Sequence, residues 1–204
     1  MMEPTRCVVD VRSGALVGGN GRYEKRLSDL AGIYADADAL ARLQAQGDPV
    51  VCAVEDLKPS TTSGDMIFGV TRMVPGDVGG EFFVTRGHIH AKADRPEIYY
   101  GEHGSGLMLL GSPDGEIRVV EIAPRAVFYV PPYWIHRSVN VGRDDLAMTF
   151  AYPADAGQDY EIIARYGGMR QRIVDDGRGG WHAVDNANHR PRTAAEVART
   201  MATA

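Results

Sequence analysis

Apolar and polar positions change their period along this chain, and each change predicts a different element. Over residues 23–46, Leu27, Leu30, Ala31 and Tyr34, then Ala37, Leu40 and Leu43, recur at steps of three and four, which predicts helix. Ser28 is a candidate cap of an inner turn, because a short polar side chain can accept bonds from orphan amide N–H groups. From about 49 to 152 the period shortens. The runs PVVCAVEDL, MIFGVTRMV, GEFFVTRGHIH, EIYYGE, GLMLL, IRVVEI, AVFYVPP, RSVNVG and LAMTFAY alternate with PGDVGG, EHGSG, SPDG, APRA and GRDD. Short strands at even spacing with Gly, Asp and Pro punctuation predict an antiparallel sandwich or barrel. Glycine supplies the positive φ of such turns, and Asp or Asn bonds its own backbone.

The ends read differently. Residues 1–22 hold a short extended run, CVVDV, and a Gly-rich turn, GGNG. Beyond about 177 the chain is Gly- and Arg-rich and then polar. Thr193 and Glu196 have capping-box spacing ahead of VARTMA, so the choice there is between a short helix and a frayed tail. The organisation expected is an N-terminal strand and helical extension over 1–48, a β-barrel domain over 49–176, and a polar C-terminal tail over 177–204.

Composition narrows the function. A chain of 204 residues with 44% hydrophobic positions suits one medium-sized domain with a buried core. The formal charge is -5 and no run of Lys and Arg occurs, so nucleic acid is excluded as a partner class. An anionic ligand must then be held by local donors and not by the overall field. Cys7 and Cys52 share no metal-type spacing and read as reduced thiols. There is no apolar signal core in MMEPTRCVVD and no uninterrupted apolar run of membrane length. The expectation is a cytoplasmic protein without a membrane partner.

One segment concentrates the chemistry. In an extended GHIH run, His88 and His90 point to the same face, spaced for adjacent positions on one small ion. After Pro96, Glu97 and Tyr99 share a face, and PPYWIH later supplies His136 behind a Pro-Pro turn. Three imidazoles and a carboxylate suit Fe(II), Mn, Ni, Co or Zn, with one or two positions left open. A lone H-x-H is weak, because a single histidine is more often a surface or hydrogen-bonded core residue. His103, His182 and His189 are read that way. The full set, H-x-H-x(6)-E-x(6)-G followed by P-x(4)-H in a β-rich chain, is the two-part cupin signature.

Three further runs make the resemblance narrower. TRGHIHAKADR from Thr85, YVPPYWIHR from Tyr129 and YPADAGQDY from Tyr152 resemble the cupin-type (archaeal-type) phosphoglucose isomerases, over about residues 23–175. The resemblance implies an all-β fold, the cupin double-stranded β-helix or jelly roll, paired as a homodimer. It implies interconversion of glucose 6-phosphate and fructose 6-phosphate, with one divalent ion per subunit, Fe(II) first. It implies His88, His90, Glu97 and His136 as metal ligands, and substrate contacts at Thr71, Thr85, Gly87, Tyr99, Tyr152 and Tyr160. Two departures stand out. Gln158 occupies a position where the family commonly has histidine, and Cys52 one where it has tyrosine. Gln donates a hydrogen bond but carries no charge.

Moving a hydrogen between C1 and C2 by way of a cis-enediol needs a base within reach of both carbons, and Glu97 is the candidate. A carboxylate bonded to a cation is a weaker base, and a direct hydride shift from C2 to C1 is the alternative route. Lys92 and Arg95 are candidate charges near the phosphate end, while Tyr133 and Trp134 read as rim or subunit packing. Two other functions compete on the signature alone, a cupin metal-dependent dioxygenase and a non-catalytic sugar-binding cupin.

Overall fold

The computed structural model describes residues 3–10 and 13–202. Two antiparallel sheets lie face to face. The larger runs in space from Val127–Val130 through Glu97–His103, Leu146–Pro153, Met66–Met73 and Val50–Leu57 to Gly21–Arg26. The smaller is Ile117–Ile122, Gly106–Gly111 and Ile135–Asn140. Isolated bridges Val84↔Val139 and His88↔His136 extend the smaller sheet, and Ile89–His90 then pairs with Gln158–Asp159. Between 97 and 153 the chain passes four times between the sheets, with one hairpin, Gly106–Gly111 to Ile117–Ile122, kept inside the smaller, which is the all-β jelly roll.

Period-two alternation builds the space between the sheets. Met108, Leu110 and Ile122 of the smaller sheet join Cys52, Met73, Tyr99, Phe128, Val130, Met148 and Phe150 of the larger in one cluster. The other face of the smaller sheet is covered too. Leu107, Leu109, Ile135 and Val139 pack against Leu27, Leu30, Tyr34 and Leu40 from the N-terminal side and Ile162, Tyr166 and Ile173 from the C-terminal side. Strands Gly106–Gly111 and Ile135–Asn140 are therefore buried at every residue, which is why GLMLL reads as an unbroken apolar run. By contrast, the outer face of the larger sheet leaves Ile98, Val127 and Tyr129 at 44%, 61% and 58% exposure, with Tyr129 in register opposite Ile98.

The helix predicted over 23–46 is corrected. Gly21–Arg26 is a strand, paired with Val50–Leu57 so that Tyr23 meets Val54 and Lys25 meets Cys52. Leu27 and Leu30 form a single 3-10 turn, whose three-residue repeat mimics helical spacing. Gly32 at φ +80° breaks the chain, and α-helix runs only over Ala37–Ala45. Its cap is Asp36, which accepts from the Ala39 amide at 2.8 Å. Ser28 does not cap a turn with its side chain; its amide and hydroxyl both donate to Asp48.

At the amino end, Val8–Asp10 pairs with Ala15–Val17, and Val11, the last residue of the CVVDV run, lies outside the described residues. At the carboxyl end, Gln171–Asp175 pairs with Trp181–Asp185, so the boundary drawn at 176/177 falls inside a hairpin. Thr193 and Glu196 make a reciprocal capping box at the start of helix Ala194–Met201. No helix among the described residues is long and apolar enough to cross a membrane.

Candidate metal centre and active-site cavity

Backbone pairing brings the sequence-distant histidines together. The His88 amide donates to the His136 carbonyl at 3.0 Å, and the His136 amide returns the bond at 2.9 Å. Gly87, at φ +74°, turns the chain into this bridge, and a Cβ there would lie 2.7 Å from Arg137 Cβ and 2.8 Å from the His136 carbonyl. In strand Ile135–Asn140 the alternation sends His136 and Ser138 inward, and Ile135 and Val139 into the outer cluster. Glu97 opens the facing strand Glu97–His103, directly after Pro96.

The acidic oxygen lies among three imidazoles. Glu97 Oε2 is 3.0 Å from His136 Nε2, 3.5 Å from His90 Nε2 and 3.8 Å from His88 Nε2. Donor atoms of His88, Glu97 and His136 all lie within 4.8 Å of one another. His90 falls outside that set of three, though its Nε2 reaches the same carboxylate oxygen. The opposite ring nitrogens are tied to backbone, His90 Nδ1 to the Arg95 carbonyl at 2.7 Å and His136 Nδ1 to the Trp134 carbonyl at 3.1 Å. Those acceptors fix Nδ1 as the protonated nitrogen and turn the Nε2 lone pairs toward Glu97. Nε2 of His88 and Nε2 of His90 are buried without a hydrogen-bond partner. Buried polar atoms of that kind are uncommon. Two orphaned imidazole nitrogens beside a buried carboxylate fit a divalent cation.

The electrostatics agree. Burial alone would raise the Glu97 carboxyl, but the imidazoles of His136, His90 and His88 packed around it hold it well below the usual carboxylate range. His88 is pushed well below the ordinary imidazole value, first by burial and then by His136. Both groups therefore sit in their metal-ligating forms at neutral pH.

A cavity of about 80 Å³ opens onto this cluster. Thr71, Thr85, Gly87, His88, Glu97, Tyr99, His136, Tyr152 and Tyr160 all line it, while His90 supports it from behind. Tyr99 stacks on Phe128 at 5.0 Å, and its hydroxyl lies 3.3 Å from His136 Nε2. Gln158 Nε2 donates to the Tyr152 hydroxyl at 2.9 Å. Cys52 also lines the wall, its thiol pushed up to about 11 by burial and hence neutral. Among the lining residues that sequence reasoning did not reach are Tyr23, Lys25, Arg86 and Arg137. Lys92 and Arg95 are not among them. Both are bound to Asp155, at 2.8 Å and 3.0 Å, and brace the loop that follows His90.

The family described as glucose-6-phosphate isomerase (GPI) matches residues 24–190, a span that holds every group of the centre. The chain belongs to the cupin-type glucose-6-phosphate isomerase family. Within it, the chain is 60% identical over 199 residues to the "Putative glucose-6-phosphate isomerase 1" of Rhizobium meliloti, covering 97% of this chain and 93% of that one. It is 59% identical to the "Glucose-6-phosphate isomerase" of Sinorhizobium medicae over the same shares. The "Glucose-6-phosphate isomerase" of Thermococcus litoralis matches at 40% identity over 176 residues, 86% of this chain and 92% of that one. Among solved structures, an oxalate oxidase in complex with the substrate analogue glycolate aligns over 59% of this chain and 60% of its own. Its TM-score of 0.48 and identity of 21% are too remote to bear on chemistry. Family membership accounts for the cavity's mixture of imidazole, carboxylate and hydroxyl groups better than a dioxygenase or a passive sugar-binding site would.

Proposed function

We propose that this chain interconverts glucose 6-phosphate and fructose 6-phosphate in the cavity above Glu97, with one divalent ion held by His88, His90, Glu97 and His136. One observation carries the reading: a buried carboxylate and the hydroxyls of Thr71, Thr85 and Tyr152 share one small cavity. Isomerisation needs that pairing of a proton carrier with fixed donors.

Glu97 is the proton carrier in this reading. It takes the C2 proton of the aldose; the C2–H pair becomes the C1=C2 bond and the C1=O pair moves to O1, the O2 hydroxyl proton passes to O1 across the cis-enediol, and the proton held by Glu97 returns at C1 as the O2 pair forms C2=O. A divalent ion held by His88, His90, Glu97 and His136 would supply Lewis-acid chemistry at this end of the cavity. Depression of the Glu97 carboxyl keeps it ionised, in its base form, at neutral pH. Tyr99, beside His136, orients the sugar hydroxyls. Thr71, Thr85, the Gly87 amide, Tyr152 and Tyr160 hold the phosphate, whose charge strengthens each bond. Lys25 and Arg86, on the cavity wall, take the charged role that Lys92 and Arg95 cannot fill.

Iron(II) is the ion proposed, since imidazole with carboxylate suits it, and Mn, Ni, Co and Zn are the alternatives to be tried beside it. We place the enzyme in the cytoplasm as a homodimer that covers the exposed Ile98, Val127 and Tyr129. The test is a coupled isomerase assay on metal-stripped protein with each ion added back in turn. Activity restored by one or more ions supports the reading; no turnover with any ion, at full loading, overturns it. Tritiated water separates the two routes, since label in the product requires the enediol, and its complete absence removes Glu97 as proton carrier.

A further inference from the structure

Behind the catalytic cavity lies a second one, of about 250 Å³, between the smaller sheet and the segments that cover its outer face. Arg86, Arg137 and Arg172 all line it. Two of these guanidiniums have carboxylates. Arg172 binds both oxygens of Glu81, at 3.0 Å and 2.8 Å, and Arg86 pairs with Glu161 at the surface. Arg137 has none. It is only 6% exposed, and among the described residues its side chain donates from Nη2 to the Arg86 carbonyl alone. Its Nε is buried with no partner.

A buried guanidinium with an unused donor and no counter-ion is costly, so such a group calls for an anion. Arg137 alternates with His136 along the strand, and its side chain lies at the wall between the two cavities, lining both. The remaining acid on the lining, Asp29, is engaged by the Arg26 amide at 2.8 Å. Exposed residues such as Ala31 and Ala164 frame the mouth, so the cavity is open to solvent.

We infer that the cavity lined by Arg86, Arg137 and Arg172 is a second anion site, taking a small oxyanion of the phosphate or phosphomonoester class independently of the sugar phosphate. Guanidiniums grip such oxygens through paired N–H donors. Arg86, Arg137 and Tyr160 belong to both cavities, so an occupant here touches the wall of the catalytic one.

Ala164 lines only the second cavity and takes no part in catalysis, which makes it the place to test the idea. Ala164→Glu brings a competing carboxylate to the guanidiniums, and Ala164→Gln brings the same bulk without charge. The metal-loaded full chain is melted in rising inorganic phosphate while the equilibrium sugar-phosphate mixture is held at saturation. A ligand that binds only the folded state raises the midpoint with its concentration. The expected result is a phosphate-dependent rise in the parent chain and in Ala164→Gln. In Ala164→Glu, apparent phosphate affinity should weaken roughly tenfold or more, with isomerase activity unchanged. Equal rises in all three chains would be a bulk salt effect, and no rise in any would assign Arg137 to the substrate; either result overturns the inference. The Glu-versus-Gln contrast reads the second cavity whether or not the chain turns over sugar phosphates.

Discussion

Glu97 Oε2 and His136 Nε2 stand 3.0 Å apart at the floor of the cavity, one from each of the two facing sheets. The contact places a carboxylate where it can serve both an ion and a proton. Replacing Glu97 by Gln keeps the shape and removes the base. Turnover should fall by about 10²- to 10⁴-fold, the usual contribution of a positioned general base. Metal content measured on the same sample separates loss of the base from loss of the ion, and unchanged turnover would remove Glu97 from the reaction.

Stripping the ion with a chelator should abolish activity and also lower the thermal midpoint. The ligands belong to both sheets, and an ion bound only by the folded chain stabilises it by mass action. Calorimetry of apo and reloaded protein reads this directly. Identical midpoints would mean that the four residues do not hold a metal.

Gly87→Ala should be among the most damaging single-atom additions. The residue sits at φ +74°, and its new Cβ would fall 2.7 Å from both Arg137 Cβ and Ile163 Cδ1. Left-handed backbone costs an alanine about 1–2 kcal/mol, and overpacking adds roughly 1–3 kcal/mol. Urea denaturation measures the sum, and a loss under about 0.5 kcal/mol, the range of ordinary surface changes, would contradict the packing described.

Gln158 donates to the Tyr152 hydroxyl on the cavity wall. Removing that bond by Gln158→Ala should raise KM about fivefold and leave kcat nearly alone, since a neutral hydrogen bond is worth about 1 kcal/mol. Gln158→His should restore the parent KM. If the alanine variant lowers kcat with KM unchanged, Gln158 acts on the chemistry and not on binding.

Acid should loosen the C-terminal helix before the barrel. Glu196 is held down to about 2 by Arg190 and by the Thr193 amide, against an ordinary value of 4.5. A depressed carboxyl lends stability that is present above its unfolded pKa and lost as pH falls through the folded one. Proteolysis of the tail should therefore accelerate between about pH 4.5 and 2, with the barrel amides still protected from exchange. Glu196→Gln should remove that pH dependence.

Much of this was legible in the sequence, because the ligands carry their own spacing. H-x-H on a strand, a carboxylate after Pro96 and a histidine after Pro-Pro need only a β-rich chain to converge. Lys25 and Tyr23 were not legible, for a specific reason. They reach the cavity only because Gly21–Arg26 alternates as a strand, and the three-residue step from Leu27 to Leu30 made that stretch look helical. Arg137 was hidden by its neighbour, since a residue adjacent to a ligand in a strand faces the other way. The bonds of Lys92 and Arg95 to Asp155 span about sixty residues, and local pattern carries no sign of them.

The reciprocal amide bonds between residues 88 and 136 have a final consequence. The spacing of those two imidazoles is stitched by main chain, which is blind to what the side chains bind. Ligand identity can therefore drift, or one cation be exchanged for another, without redrawing the barrel. Innovation at this centre is cheap for evolution because its scaffold was never made of the centre's own chemistry.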